Sequence, residues 1–270
     1  MSDSYIHGTS PGEQERLSRL NTIINDKSLR KISIRPGERI LDVGSGLGQL
    51  TRAMARQAGV AAIGVERSPD QIDRARHLAA QAGEESLVDF REGDALDLPL
   101  GVSERGSFDV VHSRFLLEHL RSPVLAVEQM VQAARPGGRI VLEDDDHELL
   151  RTWPEPPGLA SLWSSYIRLY DRIGNDPIVG RRLVELLARA GARPTRNDWL
   201  FFGACSGSPD FIPLADNMIN ILLGAREALL EHELFDPLLF DEVIANVRAW
   251  SKRDDAALWY CIAWAEGVRK

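Results

Sequence analysis

Apolar positions along this chain fall into two alternating patterns. Short runs of β-branched and aliphatic residues are each followed by a longer stretch whose apolar positions recur three and four apart. The runs predict strands at Arg39–Val43, Ala61–Val65, Val88–Arg91, Phe108–His112 and Arg139–Glu143, with two later strands at Trp199–Phe202 and Leu258–Trp264. Between them the spacing predicts helices over 49–58, 69–82, 123–134, 162–173 and 179–190. Ser68 and Asp70 supply capping chemistry for the second helix, and Arg135-Pro136-Gly137-Gly138 forms a tight turn before the fifth strand. Strands and helices that alternate at this interval build a mostly parallel sheet with helices on both faces. The fold class is therefore α/β, with seven strands.

Two segments exceed that plan. Residues 147–176 carry Trp153-Pro154-Glu155-Pro156-Pro157 and then an aromatic helix, and residues 207–254 separate the last two strands where a hairpin would suffice. Both read as helical cap insertions. The chain then divides into an N-terminal lid segment, 1–35, and a core over 36–146. The first cap (147–176), a core continuation (177–206), the second insertion (207–254) and the last core strand (255–270) complete a single domain.

Composition narrows the function classes. The 270 residues are 44% hydrophobic and 27% charged, ordinary for a soluble globular protein. The net charge of −8 argues against nucleic acid as a partner. No apolar run is long enough to span a membrane, and the first residues lack the pattern of a signal peptide, so a cytoplasmic protein is expected. Cys205 and Cys261 are too few for a disulfide framework or a metal cluster; they read as buried free thiols on neighbouring strands.

The chemistry concentrates at the end of the first strand, in Ile40-Leu41-Asp42-Val43-Gly44-Ser45-Gly46-Leu47-Gly48. A strand that ends in a glycine turn and feeds a helix brings backbone N–H groups to a ligand. A dinucleotide turn needs G-x-G-x-x-G, but here the glycines fall as G-x-G-x-G, with Gln49 in place of the third. Asp42 would set negative charge beside a pyrophosphate; it suits a ligand with a cationic end. Glu66, eighteen residues beyond Gly48 at the tip of the second strand, can accept hydrogen bonds from ribose hydroxyls. Gly93-Asp94-Ala95 stands at the end of the third strand.

Together with Phe108-Asp109-Val110-Val111 and Pro136-Gly137-Gly138, these motifs cover about residues 38–145. In order and spacing they resemble the class I S-adenosylmethionine-dependent methyltransferases, of small-molecule type, whose sheet is Rossmann-like. The resemblance implies that Asp42, Gly44, Ser45, Gly46 and Gly48 meet the methionine end, Glu66 and Arg67 the ribose, and Asp94 and Ala95 the adenine. Arg114 belongs to the same pocket. Tyr5 and Arg16, from a leader similar to those that fold over the cofactor in such enzymes, are expected to close it.

Methyl transfer is an in-line displacement in which alignment and exclusion of water dominate. A general base is needed only for an acceptor with a proton to lose. Its candidates follow the fourth and fifth strands: His119, Asp144 and His147. Asp146, Trp153, Trp163 and Tyr166 are expected to contact the acceptor. The run Glu143-Asp144-Asp145-Asp146-His147 looks like a metal site, but alternation along a strand turns adjacent acids apart, so no metal is assigned. The loop after the fourth strand lacks the (Asp/Asn)-Pro-Pro-aromatic pattern of nucleic-acid amino-methyltransferases. The expected partner is a small organic acceptor methylated on oxygen, nitrogen or carbon; a homodimer stays open. A nucleotide-linked oxidoreductase, a protein or nucleic-acid methyltransferase and a non-methylating cofactor binder are the alternatives.

Overall fold

A computed structural model describes residues 24–270. Five parallel strands form its centre: β1 (Ile40–Val43), β2 (Ala62–Glu66), β3 (Val88–Glu92), β4 (Phe108–Arg114) and β5 (Ala134–Asp145). The order across the sheet is β3-β2-β1-β4-β5, after which β8 (Ala257–Arg269) and β7 (Ala192–Cys205) add antiparallel. An eighth strand, β6 (Arg151–Trp153), pairs with β8 at Trp259–Ala257. β5 pairs with the same strand from Val268 to Ile262, so β6 continues the line of β5 along it. The eighth strand thus shares a position with the fifth, and the seven-position plan holds. It also means that the segment after residue 146 joins the sheet before it becomes helical.

Residues 24–32 form a helix, α1, whose buried Ile24, Ser28 and Ile32 recur at four-residue spacing. The sheet's other helices are α2 (Gln49–Ala58), α3 (Pro69–Gln81), α4 (Pro123–Ala133) and α6 (Leu183–Arg189). The expected cap sits on α3: Ser68 Oγ accepts from the Gln71 N–H, and Pro69 occupies the first turn. Gly48 shows why that position must be glycine. It has φ of 68°, and a Cβ there would lie 2.1 Å from the Phe90 ring, so only glycine lets α2 begin this close to β3.

The helices after the core are α5 (Leu159–Ile173), α7 (Phe211–Gly224), α8 (Arg226–Glu231) and α9 (Pro237–Trp250). Leu162, Tyr166, Leu214, Met218, Leu229, Phe240 and Val247 join them in one apolar cluster that also takes Leu200, Phe202 and Trp264 from the sheet. The opposite face packs α4 and α6 against Val111, Ile140 and Ala265.

Three expectations change. β4 runs two residues past the expected end at His112, so Ser113 and Arg114 are strand residues rather than the start of a loop. β7 and β8 are fourteen and thirteen residues long, since they pair with each other from Ala192–Arg269 to Cys205–Ala257, with β8 running beside β5 at one end and β6 at the other. Cys205 and Cys261 are free and on neighbouring strands, but Cys205 is exposed and Cys261 half-buried; each pairs across the ladder with a different residue.

Candidate active site

The carboxyl ends of β1, β2 and β4 open into a cavity of about 280 Å³. Asp42, Gly44, Ser45, Gly46, Glu66, Arg67, Asp94, Ala95 and Arg114 all line it, so the structure brings together most of the residues the motifs pick out; Gly48 lies just behind, against Phe90. The turn itself differs from the expectation of free N–H groups. Gly44 and Ser45 donate to Val65 O, Gly48 to Ser45 O, and Gly46 to Glu66 Oε2 at 3.0 Å. Glu66 Oε1 accepts from the N–H groups of Arg67 and Ser68, both at 2.9 Å. The glycine turn is thus tied to its neighbours and offers no phosphate cradle. Acidic groups and a buried Ser45 hydroxyl without a partner face the cavity instead. These donors and acceptors fit the sulfonium, amine and ribose of S-adenosylmethionine better than a pyrophosphate.

Asp42 is committed to the protein. It is buried, accepts from Thr51 Oγ1, and meets His112 Nδ1 at 2.8 Å. His112 Nε2 lies 3.6 Å from Glu143 Oε1, and Glu143 Oε2 accepts from Ser28 Oγ at 2.6 Å. Arg114 closes the chain, donating to Ser28 Oγ at 3.1 Å and Asn25 Oδ1 at 2.8 Å. Burial would push the His112 imidazole toward its neutral form, but Asp42 and Glu143 outweigh it and hold its pKa at about 9. Burial likewise opposes the Glu143 charge, yet His112, Arg114 and Ser28 keep that carboxyl below its usual range. This buried relay of opposite charges fastens α1 to the floor of the cavity.

The relay makes stability depend on pH. The folded His112 pKa lies above the unfolded value near 6.5, so its contribution is complete below that value and drains as pH rises through about 9. The shift is worth roughly 3 kcal/mol at most. Melting temperature is expected to fall between about pH 6.5 and 9.5, and His112→Asn to flatten that slope. An equal slope in the variant would remove His112 from the relay.

A second cavity, of about 50 Å³, lies beneath the cap. Phe115 lines both cavities, held with φ of 53° in the left-handed region that a side chain of its size rarely adopts. Trp163, Leu214, Asn217, Met218 and Ile221 come from the cap helices, and Phe202, Leu258 and Tyr260 from the sheet. Asp145 and His147 supply the polar corner. His147 Nε2 is 2.9 Å from Glu118 Oε2, its Nδ1 is 3.3 Å from the Tyr260 hydroxyl, and its carbonyl accepts from Trp163 Nε1 at 2.7 Å. Burial lowers the affinity of His147 for a proton, but Glu118 outweighs it and the pKa rises.

The part of the chain that builds the first cavity and the wall between the two can be compared with known proteins. Residues 34–175 match the family described as "Methyltransferase domain". The chain belongs to that family.

This methyltransferase-family chain is 32% identical over 159 residues to 27-O-demethylrifamycin SV methyltransferase of Amycolatopsis mediterranei (strain S699), covering 59% of this chain and 56% of that protein. It is 35% identical over 136 residues to ajmaline N-methyltransferase of Rauvolfia serpentina, covering 50% and 44%. The chain thus spans about half the length of these curated relatives. In fold it is similar to geranyl diphosphate C-methyltransferase from Streptomyces coelicolor A3(2), with a TM-score of 0.58 at 14% identity over 93% of this chain and 77% of that one.

Within this chain, the run from Glu143 to His147 scatters. Glu143 enters the relay. Asp144, expected to serve the acceptor, is buried and accepts from the N–H groups of Leu116 at 3.1 Å, Leu117 at 2.7 Å and Asp145 at 3.0 Å; it holds the segment after β4. Asp146, expected at the acceptor, caps a short 3-10 turn and forms two 2.7 Å bonds with Arg181. Only Asp145 and His147 reach the second cavity, where they and Glu118 lie close enough to share an ion.

The remaining candidates divide as follows. His119 lines the first cavity and stacks on Tyr170; burial lowers its pKa. Trp163 lines the second cavity. Tyr166 is fully buried behind it, edge-on to His147, with its hydroxyl 3.0 Å from that of Tyr170. Trp153 is 68% exposed on β6 and lines neither cavity. Tyr5 and Arg16 lie outside the described residues. Sequence reasoning missed Phe115, Tyr260 and the α7 residues. For Phe115 its place directly after β4 is a usable signal; for the others nothing local marks them.

Proposed function

We propose that this protein transfers a methyl group from S-adenosylmethionine to one nucleophilic atom of a small, mainly apolar organic molecule. The observation that carries the reading is the pair of cavities with Phe115 as common wall, one lined by the glycine turn, Glu66 and Asp94, the other lined by the cap helices and the last strands. Bound S-adenosylmethionine supplies a methyl carbon already activated by the sulfonium charge. The chain's own residues have the work of alignment and drying. Glu66 fits the ribose, Asp94 and Ala95 the base, and Phe115 sets the approach between the cavities. A proton on the acceptor has Asp145 and His147 to receive it. The name of the Amycolatopsis relative specifies oxygen, the Rauvolfia one nitrogen and the Streptomyces one carbon, so membership of the family leaves the atom open.

The small size of the second cavity and the net charge of −8 favour a small acceptor over a protein segment or nucleic acid. Thermal-shift titration is expected to give stabilisation by S-adenosylhomocysteine and none by NAD; the reverse would return the oxidoreductase reading. Met218→Trp, which fills the second cavity, should reduce methyl transfer about 100-fold or more through misalignment. It should leave S-adenosylhomocysteine affinity within roughly twofold, because α7 does not line the first cavity. Undiminished turnover in Met218→Trp would place the acceptor elsewhere.

A further inference from the structure

Where β6, β8 and β7 run beside one another, successive side chains alternate between the two faces of the sheet. Leu200, Phe202, Leu258 and Tyr260 turn toward the cap and are buried. The alternate positions carry Trp153, Trp259, Phe201 and Trp199, all of them exposed. Register makes these four one strip. Trp153 stands opposite Ala257, Trp259 opposite Gly203, Phe201 opposite Cys261 and Trp199 opposite Ala263. Each ring is therefore the diagonal or same-strand neighbour of the next. A Cβ on Gly203 would lie 2.8 Å from the Phe201 ring, which leans across that glycine toward Trp259. Nearer the core the same face is covered, Gly180 lying on Ala263 and Leu187 on Gly267. The chain's other three tryptophans, Trp163, Trp250 and Trp264, are buried.

We propose that this aromatic strip is the interface of a homodimer, packed face to face against the same strip of a second copy. Exposures of 68%, 60%, 48% and 42% for Trp153, Trp199, Phe201 and Trp259 leave roughly 500 Å² of aromatic surface in water. That is the upper end of the largest apolar patch on an ordinary monomer. Two copies bring together about 1,000 Å² before any rim is counted, the size at which a specific interface begins. Charge favours a copy of this chain as the occupant. At −8, two copies repel unless the surfaces that meet lack acids. Among the described residues of these strands, no Asp or Glu lies on the exposed part of this face; Arg151, opposite Trp259, is its one ionic side chain. A single guanidinium suits an aromatic partner, whereas an anionic membrane calls for clustered basic residues. Edge-to-edge pairing through β7 is closed off by α1. Lys27 Nζ donates to the Phe201 carbonyl at 2.9 Å, and Lys31 pairs with Asp198 along the same edge. Face-to-face packing remains. The strip alternates with Phe202, Leu258 and Tyr260, which line the second cavity, so the partner braces that wall from behind.

Sedimentation velocity of the full chain from about 1 to 100 μM is the test. The mass is expected to rise from one 30.0 kDa chain to two with concentration. Trp199→Glu and Trp259→Glu should each weaken dimerisation roughly tenfold or more, because each sets a carboxylate against the partner's aromatic strip. Leu238→Glu, at an exposed position of the cap helix α9, should dimerise as the wild type does. S-adenosylhomocysteine affinity within about twofold in all three variants shows that they fold, since none of these residues lines the first cavity. Trp153→Ser replaces Trp259→Glu if that variant does not fold. A monomer at every concentration, a dimer that both Trp variants leave intact, or one that Leu238→Glu disrupts equally would overturn the proposal. So would co-sedimentation of the wild type with phosphatidylcholine–phosphatidylserine vesicles that the Trp variants lose, which gives the strip to lipid.

Discussion

Glu143→Ala is expected to destabilise the fold by about 3–5 kcal/mol, the usual effect of removing one partner from a buried charge pair. Glu143 is fully buried, and three groups depend on it: Ser28 donates to it, His112 faces it at 3.6 Å, and the Arg114 charge lies close by. Removing its side chain leaves an imidazolium and a guanidinium with Asp42 as the nearby counter-charge. The loss should appear as a fall in melting temperature of roughly 2–4 °C per kcal/mol. Glu143→Gln should cost less, because the amide oxygen still accepts from Ser28. The double variant Glu143→Leu, His112→Leu should recover part of the loss, since an apolar pair of similar volume can replace a buried ion pair. A Glu143→Ala protein that melts with the wild type would show that the relay carries no stability.

That relay also explains what the sequence can and cannot reveal. The strand ends that form the cofactor cavity are legible because their signals are local. Ile40 to Gly48 announces a strand, a turn and a helix within nine residues, and Glu66 and Asp94 follow at the tips of the next two strands. Parallel pairing of β1 with β2 and β2 with β3 then brings the three tips together without further information. The partner of Asp42 is not local. It is His112, seventy residues away, and the two meet because Asp42 and His112 are register partners on β1 and β4. Their pairing turns a residue expected to face the ligand into one that anchors the turn.

The acceptor cavity is less legible for the same reason. His147 and Trp163 are within one segment and could be proposed together, but Tyr260 arrives 113 residues after His147, on the last strand. Met218 and Ile221 come from a helix whose sequence reads only as amphipathic. The consecutive acids mislead because a run in sequence suggests a cluster in space. β5 and the turn after it deliver Glu143, Asp144, Asp145 and Asp146 to four different sets of partners.

Glu66→Ala should weaken binding of S-adenosylhomocysteine by roughly 1.5–3 kcal/mol, or about 10- to 150-fold. An ionised carboxylate has about four acceptor positions, and the N–H groups of Gly46, Arg67 and Ser68 already point at this one. Its part is therefore double. It holds the glycine turn and the start of α3 in place from inside the cavity, and it keeps capacity for a ribose hydroxyl. Glu66→Ala removes both contributions, leaving three backbone donors to water. Glu66→Gln separates them. The amide oxygen can accept from Gly46 or from the Arg67 and Ser68 pair, but the amide NH₂ then confronts the other donors, so the turn is disturbed although a polar group remains. If ribose contact dominates, Gln should retain most of the affinity; if turn geometry dominates, Gln should behave like Ala. Calorimetric titration of both variants decides between these, and affinity unchanged in Glu66→Ala would remove Glu66 from the cofactor site altogether. The second outcome, Gln resembling Ala, is the one expected here, since three of the four acceptor positions face the protein's own backbone and one is left for the ligand.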